Sequence, residues 1–138
     1  MAEALIAASE TATGPRSLNL GGKPLLTVPC KLAAADPNIY VKGTIVFSAT
    51  KDGNFAQALD AGLPAETDFV YILAEDVPGD AVAAAQPFYG IAEGHLNRAI
   101  VAAANSGVSG ANLLVIEELL AKRGLHLETP SYGDQYTA

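Results

Sequence analysis

The sequence predicts a single small α+β domain, mostly β, with one or two short helices and an extended N-terminal arm. Three observations predict it. Stretches of strand length and strand composition fill the middle of the chain, one well-patterned helix lies near its end, and Pro15, Pro24 and Pro29 interrupt the first 36 residues. The expected division is an arm over residues 1–36 and a β-rich domain over residues 37–138.

In the arm, small and polar residues separate Leu18, Leu20, Leu25, Leu26 and Val28, and the prolines block any helix. An extended segment rich in Leu and Val can add itself as a strand to the edge of another chain's sheet. From Ile39 the period becomes two. Ile39, Val41, Ile45 and Phe47 fall on one face and Tyr40, Lys42, Thr44 and Ser48 on the other, which predicts a half-buried strand. Lys51-Asp52-Gly53-Asn54 carries the Asp-Gly of a hairpin turn, and a second short strand over Phe55–Leu59 follows. Residues Ala61–Asp68, with Gly62 and Pro64, read as a loop.

The run Asp68–Glu75 (DFVYILAE) is continuous, rich in β-formers and short, as expected of a central strand buried on both faces. Pro78-Gly79-Asp80 ends it. Ala81–Ile91 holds both alanines that favour helix and a Pro87-Phe88-Tyr89-Gly90 group that favours a strand edge, and a strand is expected. Leu96–Ala104 is a short helical candidate. After the NSGVSG loop, Ala111–Arg123 is the clearest helix, with Leu113, Ile116 and Leu120 on one face and Ser109 as its N-cap. Glu118 and Lys122 stand at a favourable i,i+4 spacing, and Gly124 is placed to end the helix. Leu125–Glu128 reads as a last strand before a polar tail.

Composition narrows the function. With 138 residues, half of them apolar, and a mean hydropathy of +0.25, the chain can bury one sizeable core. Fifteen acidic against eight basic side chains give a net charge of −7, which opposes nucleic-acid binding. No Lys or Arg lies between Lys51 and Arg98, whereas eight carboxylates do, so the middle third should present an acidic surface. The single Cys30 has no partner for a disulfide or a metal-ligand spacing and reads as a small buried thiol. Apolar runs such as Phe69–Ala74 stop far short of the ~20 residues that cross a bilayer, so no membrane partner is expected. The opening MAEALIAASE lacks a basic n-region, and synthesis in the cytoplasm is the expectation.

Chemistry-bearing residues are few and poorly spaced for catalysis. His95 and His126 belong to no HxH, HExxH or HxxE pattern. Glu75 and Asp76 end the apolar strand, but neighbours on a strand point to opposite faces, so they do not share a reaction centre. The NSGVSG loop matches no phosphate-binding fingerprint. No enzyme and no cofactor or metal is expected. The alternative is a small acidic ligand-binding domain or enzyme that gathers Glu75, Asp76, Glu93 and His95 into one pocket. A third reading, a strand-complemented adhesin or pilus module, would require export.

A constellation over Tyr40–Glu128 is more specific than its parts. It runs from Lys42-Gly43-Thr44-Ile45-Val46 through the Lys-Asp-Gly-Asn-Phe turn at 51–55 and ILAEDV at 72–77. GHLNRAI at 94–100 and LLAKRGLHL at 119–127 complete it. This order resembles the head decoration protein D family of lambda-like phages. That family runs from a G-T-V strand through a "GILxEDV" element and a "GxFNxxAL" segment to "LRxxGIxL". Here Tyr71 stands in place of the usual glycine before ILAEDV, Leu96 in place of the aromatic, and Ala81–Ala85 is unusually alanine-rich.

The resemblance implies a capsid cement protein that sits on the outer surface of the virion as a homotrimer and stabilises the mature head by binding the major capsid protein lattice. The arm residues Leu18, Leu20, Pro24, Leu25 and Leu26 are then the expected capsid contacts, and Asn97 and Arg98 of the GHLNRAI motif the expected trimer contacts.

Overall fold

A computed structural model describes residues 18–20, 25–33, 40–77 and 87–129. Its elements in chain order are β1 (Leu26–Leu32), β2 (Ile45–Ser48), β3 (Asn54–Gln57), β4 (Phe69–Leu73), β5 (Pro87–Asn97), α1 (Arg98–Ala104), α2 (Gly110–Lys122) and β6 (Leu125–Glu128). The expectation of a small, mostly-β α+β domain is met: six strands form one mixed sheet with two helices.

The sheet closes on itself. β2 pairs antiparallel with β3 through the Asp52-Gly53 hairpin and with β4 on its other side, and β4 pairs antiparallel with β5. β1 completes the ring, parallel to β3 and antiparallel to β5. Closure removes most of the free edges that a sheet of short strands would otherwise present. β6 lies outside the ring and extends it in parallel along the second half of β5, with Gly94 opposite Leu125 and Asn97 opposite Glu128. The eleven residues of β5 thus serve the ring first and β6 afterwards.

Two apolar clusters follow from the pleat. Neighbours on a strand face opposite ways, so Val46 and Leu73 join Cys30, Leu32 and Phe55 inside the ring. Ile45 and Ile72 instead face the helices and meet Leu113, Ile116 and Leu120 of α2. Ile45, Val46, Ile72 and Leu73 are all fully buried, and each contributes about 1.5–3 kcal/mol by leaving water. Inside the ring the Phe55 and Tyr71 rings stack with centroids 5.1 Å apart.

Glycine is required where the chain changes direction between these layers. Gly43, at φ +96°, turns the chain into β2. At Gly94, where β5 passes from the ring to β6, a Cβ would lie 2.3 Å from Leu25 Cδ2.

Several expectations are corrected here. The alternation expected from Ile39 does not form one strand. Tyr40 makes an isolated bridge to Val77 and is buried, Val41 is exposed, and β2 starts only at Ile45 after the Gly43 turn. Tyr40 is held by its hydroxyl, which donates to the Ala33 carbonyl at 2.6 Å. The helix expected from Leu96 begins at Arg98, because Leu96 and Asn97 still pair with β6 and the Asn97 side chain caps the helix from outside. The strand expected over Ala81–Ile91 is described from Pro87 onward and continues to Asn97; residues 78–86 lie outside the described residues. The boundary at residue 36 does not divide the described chain, since β1 is a member of the ring.

Candidate functional site

The expected capsid contacts are placed unevenly. Residues 18–20 run antiparallel to the second half of β5. Asn19 bridges Leu96, the Asn97 N–H donates to the Leu18 carbonyl at 2.8 Å, and the Leu20 N–H donates to the His95 carbonyl at 3.1 Å. At residues 18–20 the backbone thus pairs with a strand of its own chain. Leu18 is buried in the helix-side core, and Leu25, partly buried, packs against it. Leu20 is half-buried, Leu26 is 50% exposed at the start of β1, and Pro24 lies outside the described residues. Of the four described, Leu26 presents the most surface.

The expected trimer contacts are also largely occupied. Asn97 is buried, and its side chain accepts from the Ala99 N–H at 3.1 Å to cap α1. Arg98 is half-exposed and donates from Nε to Glu117 Oε1 at 2.5 Å, tying α1 to α2.

The acidic quartet is not gathered. Asp76 Oδ1 accepts from the Lys42 N–H at 2.7 Å, and Glu75 is exposed beside it. The Ala74 N–H donates to the Tyr89 carbonyl, so this end of β4 lies level with Phe88 and Tyr89. Glu93 and His95 lie further along β5, about 13 Å and about 20 Å beyond Tyr89 at ~3.3 Å per residue. His95 instead pairs through Nδ1 with Glu128 and stacks on His126 directly across the β5–β6 ladder, centroids 5.0 Å apart. Among the described residues no group of His, Cys, Asp and Glu is placed to hold a metal ion, and no helix is long and apolar enough to cross a membrane. Cys30 is buried inside the ring, and desolvation pushes its thiol up to about 11.

A surface that sequence reasoning missed lies on α2. The helix buries Leu113, Ile116, Leu119 and Leu120, yet Leu114 and Val115 are 53% and 59% exposed. Beside Val115, a groove with a cavity volume of about 130 Å³ runs between α2 and the loop before β4, lined by Leu63, Pro64, Ile116 and Leu119 with Glu66, Glu118 and Lys122. The loop is pinned at both ends of the helix. Asp60 Oδ1 accepts from the Ser109 N–H at 2.7 Å and from Asn112 Nδ2 at 2.8 Å, and these bonds hold its carboxyl below the usual range. At the other end Arg123 donates to the carbonyls of Glu66 and Asp68. The available clue was the run LLVIEELL, which carries more apolar residues than one helix face can bury.

In comparisons with known proteins, no family model and no curated protein matches the chain.

Proposed function

We propose that this chain is a phage capsid decoration protein, a cement subunit that binds the outer surface of the major capsid protein lattice as a homotrimer and stabilises the mature head. The observation that carries the reading is where the five segments of the Tyr40–Glu128 constellation fall. Each occupies a joint of the fold: the Gly43 turn into β2, the β2–β3 hairpin, the end of β4 with its Asp76–Lys42 contact, the β5–α1 junction capped by Asn97, and the α2–β6 turn at Gly124. Residues that shape joints are those a shared fold constrains, so their order along the chain supports a common architecture.

The mechanism is mass action. A subunit that binds only the expanded lattice lowers the free energy of that state by its own binding free energy at every occupied site, and a trimer engages three contacts at once. No bond is made or broken. The capsid contact is assigned to the segment that leads into β1, with Leu26, the first residue of that strand, as its exposed apolar element. The trimer contact is assigned to the Arg98 end of α1, without Asn97.

Calorimetry of expanded shells lacking this subunit tests the reading. Adding the chain is expected to raise the shell melting temperature until sites are filled. An unchanged shell transition in the presence of folded chain would contradict it.

A further inference from the structure

We propose that the groove between α2 and the Leu63–Glu66 loop is a docking site for a partner segment that presents a large apolar side chain next to an arginine or lysine. This proposal stands apart from the cement reading and rests on three features of the groove itself.

The first is a pair of adjacent exposed apolar side chains on α2. Leu114 and Val115 stand together on the outer face of α2, where a β-branched residue gains nothing for the helix. Leu63 and Pro64, both half-buried, line the groove together with Val115. Contiguous exposed apolar surface of this kind marks an interaction site.

The second is rigidity. The loop wall is held at one end by Asp60 on Ser109 and Asn112, and at the other by Arg123 on two loop carbonyls. A groove so braced loses little freedom when it is filled, which favours affinity. Its volume of about 130 Å³ suits one large side chain, being close to the ~150 Å³ cavity that accepts a benzene-sized group.

The third is charge. Lys122 turns away from the i,i+4 pairing expected with Glu118 and meets Glu66 across the groove at 3.4 Å. Glu118 is therefore left without an ion-pair partner among the described residues, in the middle of the apolar stripe. An unpaired carboxylate beside an apolar pocket selects a cation adjacent to an apolar anchor and repels an acidic segment.

The test is amide chemical-shift titration of the full ¹⁵N-labelled chain with three synthetic twelve-residue peptides. The first contains two leucines and three arginines, the second replaces the arginines by glutamates, and the third replaces the leucines by serines. The first peptide is expected to give saturable shifts at residues 63–66 and 115–122 with a sub-millimolar dissociation constant. Glu118→Arg and Val115→Asp, both surface changes, are expected to weaken it at least tenfold while leaving the rest of the spectrum in place. Equal shifts with all three peptides, or none at the groove, would overturn the proposal. Concentration-dependent broadening of the same amides in the chain alone, removed by Val115→Asp, would give the groove to a second copy and overturn it too.

Discussion

The side chain of Asn105, at the end of α1, accepts a hydrogen bond from the backbone N–H of Ile45 at 2.9 Å, joining residues sixty positions apart in the buried seam between helix and ring. Its Nδ2 donates to the carbonyls of Gly43 at 2.9 Å and Val101 at 2.7 Å. Every polar atom of this buried amide is thus used, and it fixes where β2 begins relative to the helices.

Replacing Asn105 by Ala should orphan the Ile45 N–H and the Gly43 carbonyl, each at about 1–3 kcal/mol. Urea denaturation should show a loss of about 2–4 kcal/mol and a Tm lower by roughly 10 °C. Ser106→Ala, one residue on and exposed, should stay within about 0.5 kcal/mol of the parent.

Gly90 faces Tyr71 within the sheet, and a Cβ there would lie 2.7 Å from Tyr71 Cβ, an atom no rotamer can move aside. Gly90→Ala should destabilise by about 1–3 kcal/mol through overpacking. Gly62, with nothing within 4 Å of its Cβ position, should tolerate Ala and gain up to ~1 kcal/mol from the restricted unfolded chain. The contrast is read from paired urea midpoints.

What the sequence made legible follows burial. β2–β3, β4 and α2 were readable because their apolar residues lie in strand-length runs or on a helical face and the turn between β2 and β3 carries Asp-Gly. β1 was not, because only Cys30 and Leu32 of its seven residues are buried, and Pro29 sits in its middle. Ring closure depends on that weakly patterned strand, so the topology was hidden with it. Asn97 looked like a surface contact because a capping asparagine and an interface asparagine are the same letter. Leu18 looked free because its partner, the second half of β5, had been read partly as helix.

The placement of Leu18 and Leu25 changes what a truncation should do. Removing residues 1–26 deletes Leu18 and Leu25 from the core and the carbonyl that receives the Asn97 N–H. That deletion should cost about 3–5 kcal/mol, read from the urea midpoint against the full chain.

Asp60 should make acid stability depend on the N-terminus of α2. Its folded carboxyl titrates below the ordinary value of 3.8 because the ionised form accepts from Ser109 and Asn112. The stabilisation it provides is therefore present above that ordinary value and is lost as pH falls through the lower, folded one. The Tm difference between the parent and Asp60→Ala should hold steady from pH 7 to about 5 and shrink toward zero below the usual carboxylate range.

The burial of Cys30 inside the ring should keep the native thiol unreactive. At pH 8, labelling by a disulfide reagent should proceed only through unfolding and accelerate steeply in denaturant. Rapid native labelling would place Cys30 outside the ring.

Co-sedimentation of the full chain with expanded shells that lack this subunit addresses the cement role most directly. Saturable binding of three copies at each three-fold position is the predicted result. Folded chain that stays in the supernatant while the shells pellet bare would contradict it.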